Sequence, residues 1–322
     1  MKVPVVTPSR FRRLAVVTTA LLAAIVVSGA AVRLTSSGLG CPTWPRCTDT
    51  SLIAPPSYHA LVEFVNRVVS ALVGVVVALV AIASVLRRPR RRDVVVLSWS
   101  LVAGFVGQAV IGGLSVRYGL APGWVMAHFL LSMLLLWAAL VLVHRADDAA
   151  WAHVPPVHVP AMRRELRWLV RLLASVAGAV LVLGTVTTGT GPHAGDSTRH
   201  VARFALPLER VTQLHADAAL LLTGLVIATL FAVRLTETTA TVRRRTHWLA
   251  AAVVVQIVIG YVQYFLNLPP RVVGLHVAGA TALWCATLWL ALALPAGSAR
   301  GAGELVDRQV VRQQDRPLAG QH

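Results

Sequence analysis

Charged side chains are scarce in this chain, and their scarcity excludes most soluble folds. Only 13% of its 322 residues are charged, whereas 56% are hydrophobic. A soluble globular domain typically carries about 25% charged residues. The composition therefore predicts a polytopic membrane protein.

Acidic residues are rarer than basic ones, with 13 Asp and Glu against 30 Lys and Arg. A net charge of +17 can indicate a nucleic-acid partner. Here, however, the basic residues lie in short runs between apolar segments, which is typical of membrane topology signals. We therefore predict a lipid environment and no nucleic acid.

Cysteine is also scarce, since the chain has only three. This number excludes a disulfide-rich scaffold. Cys41 and Cys47 lie close together in one predicted loop, whereas Cys285 lies in an apolar segment. We predict one loop disulfide and one buried thiol. The disulfide is either a structural cross-link or a redox-active pair.

Eight apolar segments are long enough to cross a bilayer, which takes about 20 helical residues. The first contains an uncharged run from Leu14 to Val32, and we interpret it as an uncleaved helix. We place the segments at 14–34, 60–86, 93–116, 124–144, 168–189, 211–234, 247–266 and 273–294.

Basic residues concentrate in alternate connections, including the run from Arg87 to Arg92. The positive-inside tendency then predicts a multi-pass protein of the cell membrane with both termini cytoplasmic. We expect cytoplasmic segments at 1–13 and 145–167, and a disordered cytoplasmic tail at 295–322.

An internal repeat organises the chain. A shift of 148 positions aligns Gln108, Gly112 and His128 with Gln256, Gly260 and His276, and a shift of 149 aligns Asn66 with His215. Because each half has an even number of helices, the halves have the same orientation. We predict an all-α membrane protein built from two parallel four-helix-bundle repeats, at 14–144 and 168–294.

The repeated polar positions fall near the first turns of predicted helices 2, 4, 6 and 8, at one depth in the membrane. Two neutral imidazoles from facing helices can bind a haem iron from opposite sides. The alternative is that each histidine hydrogen-bonds to a neighbouring helix. We favour the ligand interpretation because hydrogen bonding alone does not explain the equal depth in both halves.

His59, Glu63 and Asn66 are spaced i, i+4, i+7 and therefore share one face of helix 2. Glu63 is either a proton acceptor facing the first-half site or the partner of Arg67 in an i,i+4 salt bridge. Four arginines near the predicted outer boundary either pair with haem propionates or extend to the interface as ordinary helix-end residues. They are Arg33, Arg117, Arg210 and Arg271.

Together these features resemble the heme A synthase family, in a variant similar to its high-GC Gram-positive branch. The resemblance covers about residues 14–294. It rests on the first outer loop SGLGCPTWPRC, a Glu-x-x-(His/Asn)-Arg element at Glu63 to Arg67, the GPHAGD loop, and the histidines that begin helices 4, 6 and 8.

The resemblance implies a function for each half. A b-type haem (heme b) would be held by His215 and His276 in the second half. The substrate heme O would bind in the first half, at positions matching Glu63, Asn66 and His128, with Arg67 in the same element. The implied reaction oxidises a methyl group of heme O to a formyl group, giving heme A for cytochrome oxidase assembly. Heme O synthase and an unidentified electron acceptor are the implied partners.

Two departures from the family and two competing functions remain. Many members have His where Asn66 stands, and some have a second cysteine pair in the third outer loop, where this chain has none. The competing functions are an electron-carrying b-type cytochrome without heme-modifying activity and a two-repeat transporter. The transporter would be expected to have helices broken near mid-membrane, whereas the apolar runs here are continuous.

Overall fold

The structure is a computed structural model, and it describes residues 5–147 and 164–294. Eight helices long and apolar enough to span a membrane lie within these ranges, which confirms the predicted number. They are α1 (Pro8–Leu34), α2 (Tyr58–Leu86), α3 (Arg92–Arg117), α4 (Pro122–Arg145), α5 (Arg164–Thr190), α6 (Leu208–Leu235), α7 (Ala240–Phe265) and α8 (Pro270–Ala291).

Several helices begin earlier than the apolar runs predicted, because the hydrogen-bonded backbone continues into polar sequence at the membrane surface. Thr7 caps α1 by accepting a hydrogen bond from the Arg10 amide, and Thr239 caps α7 in the same way. Helix α5 begins at Arg164, inside the predicted connector. The remainder of that connector and the predicted tail lie outside the described residues.

Each half forms a four-helix ring in chain order. Helix α1 packs against α2 and α4, and α3 packs against α2 and α4, so α2 and α4 are diagonal. The second half repeats this arrangement, with α6 diagonal to α8. The two rings meet where α1 packs against α8, α4 against α5, and α4 against α8. These contacts are those of parallel repeats related by an axis along the membrane normal.

Polar contacts hold the rings together at two levels. In the bundle interior, Trp284 of α8 donates a hydrogen bond to the Met133 carbonyl of α4 at 3.0 Å. At the end that carries the 35–57 and 191–207 loops, here called the outer end, the Gly38 amide bonds to the Gly195 carbonyl at 2.8 Å. The two halves therefore pack as one body.

Candidate functional site

His215 and His276 face each other inside the second ring. Because α6 and α8 are diagonal, side chains on their inner faces meet across the bundle, and the two imidazole centroids lie 6.4 Å apart. Two metal–nitrogen bonds of about 2 Å each, plus the half-widths of two rings, give a separation of about 6 Å. The observed separation therefore fits one metal atom between the two rings.

Glycines on neighbouring helices make room for these imidazoles. A Cβ atom built on Gly184 would lie 3.1 Å from Cε1 of His215, and one on Gly260 would lie 3.5 Å from Cε1 of His276. Gly112 has the same relation to His128, at 3.1 Å. Gly112 thus has a physical role, since a Cβ atom there would crowd the His128 ring, whereas at Gly260 it would make an ordinary van der Waals contact with His276.

The same edge of each imidazole is buried. The Nδ1 atom is buried and has no hydrogen-bond partner among the described residues in His128, His215 and His276. The His215 ring faces the main-chain carbonyl of Val180 without forming a well-aligned hydrogen bond. In its neutral form, an imidazole has one ring nitrogen without a proton, which is available as a metal ligand.

The repeated glutamines fix the helices that carry two of these histidines. Nε2 of Gln108 donates to the His128 carbonyl at 3.1 Å, and Nε2 of Gln256 donates to the His276 carbonyl at 2.9 Å. Gln108 also donates to Ser132 Oγ at 2.7 Å. The repeated amide is thus an interhelical hydrogen-bond donor.

The first ring has an amide where the second has an imidazole. Asn66 lies on α2, diagonal to α4 and His128, just as His215 lies on α6, diagonal to α8 and His276. Its Oδ1 accepts a hydrogen bond from Ser28 of α1 at 2.8 Å. The two rings therefore offer equivalent polar positions with different chemistry.

The predicted shared face of α2 is confirmed by its contacts. His59 Nδ1 lies 3.0 Å from Ser37 Oγ, and Asn66 contacts Ser28. Glu63, which is 5% exposed, lies between them and accepts a hydrogen bond from the Cys41 amide at 2.7 Å. All three side chains point towards α1 and the loop that follows it.

Glu63 and Arg67 form the predicted i,i+4 salt bridge, at 2.6 Å. The Arg67 guanidinium also donates to the carbonyls of Cys41, Thr43 and Arg46, at 3.0, 3.0 and 3.1 Å. The ion pair therefore anchors the first outer loop to α2. A charged donor that serves several carbonyls holds such a loop more firmly than a single exposed ion pair would.

The anchored loop contains the predicted disulfide, since Cys41 and Cys47 are bonded to each other. Its central residue, Trp44, lies against Gly113 of α3, where a Cβ atom would come within 2.6 Å of the indole. Gly113 directly follows Gly112, the glycine that receives the His128 ring. The loop thus packs against α3 one residue from the glycine that contacts the His128 ring.

Thiol labelling tests the disulfide directly. In folded, non-reduced protein we expect a thiol reagent to modify at most Cys285, the one free cysteine that the described residues contain. Reduction before labelling should expose Cys41 and Cys47 as well. Labelling of both loop cysteines without reduction would exclude the bond.

The four outer arginines differ in their surroundings. Arg33 crosses between the halves, donating to the carbonyls of His193 and Thr188 at 2.9 and 3.0 Å. Arg117, Arg210 and Arg271 are exposed at outer helix ends. Arg33 therefore has a structural role between the repeats. The side chains of the other three are exposed and can extend towards the membrane surface.

Asp196, in the GPHAGD loop, pairs as an isolated bridge with Ser37 of the first outer loop. Burial raises the pKa of Asp196, but hydrogen bonds from Thr198 and Arg199 outweigh it, so the pKa lies below its usual value. The carboxylate is thus charged at neutral pH. It fixes the turn of the second-half loop where that loop meets the first.

Sequence reasoning missed two residues that shape the polar positions. Ser28 is one of many small residues in α1, and Gly184 is one of many in α5, so neither stands out by spacing or charge. Gly112 and Gly260 were visible as part of the repeat, but their role became clear only from the position of the histidine rings.

The chain is similar in sequence to known proteins. A family described as cytochrome oxidase assembly protein matches residues 12–288. The chain is 27% identical over 176 residues to the heme A synthase of Alkalihalophilus pseudofirmus, covering 54% of this chain and 58% of that protein. It is 33% identical over 138 residues to the heme A synthase of Shouchella clausii, covering 42% and 44%.

A third relative, the heme A synthase of Geobacillus kaustophilus, is 36% identical over 93 residues, or 29% of each chain. The matched segments thus span little more than half the length of these relatives at most. The family match, in contrast, includes all four polar positions and the anchored loop. This chain belongs to the cytochrome oxidase assembly protein family.

Proposed function

We propose that this protein is a heme A synthase, which oxidises a methyl group of heme O to a formyl group. The observation that carries the proposal is the pair of diagonal imidazoles 6.4 Å apart in one ring, matched by Asn66 and His128 in the other. The names of the relatives support the same activity. The heme A produced would serve the assembly of cytochrome oxidases.

In the second ring, His215 and His276 would hold a resident heme b. The residues fit this group, because two half-buried imidazoles with buried Nδ1 atoms face each other at about the separation that one iron requires. When bound, a haem with two histidine ligands supplies one-electron redox chemistry. Gly184 leaves room for the His215 ring, and Gln256 fixes the α8 backbone at His276.

In the first ring, His128 would hold the iron of heme O, and Asn66 would face the opposite side of that iron. Arg67 would contribute to substrate binding indirectly, by holding the anchored loop, because its five N–H donors already bond to Glu63 and to loop carbonyls. Glu63 would accept a proton beside the substrate. Each carboxylate oxygen has two acceptor positions, so its bonds to Cys41 and Arg67 leave capacity for this role.

The substrate would thus bind in the first half, residues 14–144, and the cofactor in the second half, residues 168–294. We place the protein in the cell membrane with both termini, segment 1–13, connector 145–167 and tail 295–322 on the cytoplasmic side. The formyl oxygen would come from water, and the electrons that are removed together with protons require an acceptor, which we expect to be a separate redox partner. Heme O synthase is the proposed supplier of the substrate, within the same lipid membrane.

Two other functions are less well supported. A transporter would be expected to have broken helices at mid-membrane, but the eight described spans are continuous. An electron-carrying cytochrome explains the His215–His276 pair, but it leaves the second polar position with Asn66, His128 and Glu63 without a role.

Pigment analysis separates these functions. We expect protein purified from a host that makes heme O but lacks its own heme A synthase to carry a low-spin b-type spectrum, and its extracted haems to include heme A. Without the heme O supplier, the b-type spectrum should remain and heme A should be absent. A b-type spectrum with no heme A under both conditions would indicate the electron carrier, and no haem at all would contradict both.

A further inference from the structure

Asn66 and His215 occupy equivalent positions, but the helix that packs beside each presents a different residue. In the first ring, Ser28 of α1 donates a hydrogen bond to Oδ1 of Asn66 at 2.8 Å, which is the closer of its two acceptors, since the Ile25 carbonyl lies at 3.2 Å. In the second ring, α5 is the counterpart of α1, and it presents Gly184 to the His215 ring. The first ring thus has a hydroxyl beside its polar side chain, whereas the second has open space for an imidazole.

We propose that Ser28 is a positioning residue that orients the Asn66 amide, so that Nδ2 donates a hydrogen bond to a ligand on the open axial side of a haem iron held by His128. This inference rests on the proposed function. It adds a named role for Asn66 and a residue, Ser28, that the proposed function does not require.

The orientation follows from the geometry of the amide group. Oδ1 and Nδ2 diverge from one carbon atom, so an amide whose oxygen is held by α1 directs its nitrogen away from α1. Asn66 is half-buried on α2, diagonal to the helix that carries His128. Its Nδ2 donates no hydrogen bond to another described residue, so the two N–H donors are available to a ligand.

The chemistry of the side chain gives the consequence. A neutral amide is a poor iron ligand, and its better donor atom, the oxygen, already accepts from Ser28. The iron would therefore have one protein ligand, and its other axial position would be open to an exogenous ligand. Hydrogen-bond donors beside such a position decide what binds there.

Carbon monoxide tests this arrangement, because it binds a reduced haem with an open axial position and leaves a haem with two histidine ligands unchanged. In reduced protein loaded with heme O, we expect one of the two haems to bind carbon monoxide. A donor near the bound molecule lowers its C–O stretching frequency by favouring electron donation from the iron. Asn66→Leu and Ser28→Ala should therefore each raise that frequency in the infrared spectrum.

Ser70 provides a matched control. Its hydroxyl donates to the main-chain carbonyl of Asn66 at 2.7 Å and does not contact the side-chain amide. Like Ser28→Ala, Ser70→Ala removes a hydroxyl group that bonds to Asn66, but this one bonds to the main chain. Ser70→Ala should therefore leave the C–O frequency unchanged. Equal shifts in both serine variants would show a general packing effect and overturn the role of Ser28.

A double variant tests the position itself. Ser28→Gly combined with Asn66→His reproduces the Gly184 and His215 pair of the second ring. We expect the first-half haem of this variant to become low-spin with two histidine ligands and to stop binding carbon monoxide. Continued binding with unchanged spin state would show that residue 66 does not face the iron.

The remaining outcomes separate this inference from the proposed function. If extracted haems include heme A but Asn66→Leu lowers the C–O frequency or leaves it unchanged, the amide orientation is wrong and the enzyme assignment stands. If no haem in the wild-type protein binds carbon monoxide although heme A is formed, the open axial position is wrong. If neither half binds haem, both the proposed function and the inference fail.

Discussion

His215→Ala and His276→Ala are each expected to abolish the low-spin b-type spectrum of the purified protein. The two imidazoles lie 6.4 Å apart on diagonal helices, so each can supply one of two axial ligands to a single iron. Removal of either leaves the iron five-coordinate in an apolar site. Optical spectra of the reduced and oxidised protein measure the loss.

Other histidines of this chain provide the controls. His128→Ala should retain the second-half spectrum, because His128 lies in the other ring. His247→Ala should leave both haems unchanged, since this side chain is exposed and bonds to the Arg243 carbonyl. A complete low-spin spectrum in either His215→Ala or His276→Ala would contradict the ligand assignment.

A pair of glycine variants tests the same site without removing a ligand. Gly184→Val would crowd the His215 ring, whereas a Cβ atom on Gly224 meets no other atom within 4 Å. Overpacking costs about 1–3 kcal/mol, which, if it falls on the haem-bound state, corresponds to haem binding about 5- to 150-fold weaker. Gly224→Val should retain wild-type haem content, so that any loss in Gly184→Val reports on the histidine ring.

Glu63→Gln is expected to reduce conversion of heme O by about 100-fold or more, as expected for loss of a general base. The substitution keeps the size of the side chain and an oxygen that can accept from the Cys41 amide, but it removes the charge. The haem bound by His215 and His276 should remain, because neither residue contacts Glu63. The measurement is heme A formed per bound b-type haem, with protein yield recorded on the same preparation.

The observed salt bridge defines the alternative result. If Glu63 acts only by holding Arg67 and the disulfide loop, Glu63→Gln should lower yield and haem content together, with activity per haem nearly unchanged. Asp93→Asn is the matched control, because Asp93 is also paired with arginine, to Arg91 at 2.7 Å and Arg145 at 3.2 Å, at the other end of the bundle. Loss of activity per haem in Asp93→Asn equal to that in Glu63→Gln would remove the catalytic role.

The sequence by itself determined the number of spans, the repeat and the four polar positions. Length and apolar composition are sufficient for a span, since a helix in lipid satisfies its own backbone hydrogen bonds. The 148-residue repeat placed His128 and His276 in register, and the i, i+4, i+7 spacing placed His59, Glu63 and Asn66 on one face. Each of these features follows from the order of residues along the chain and does not require knowing which helices pack together.

The tertiary structure decided which helices face each other and what stands beside each polar side chain. Diagonal packing brings His215 to His276, but spacing along either helix carries no information about the other. The contacts of Ser28 with Asn66, and of Gly184 with His215, depend on how α1 and α5 rotate against their neighbours. Small residues are common in membrane helices because they allow close packing, so only their position against a particular side chain shows which ones shape the site.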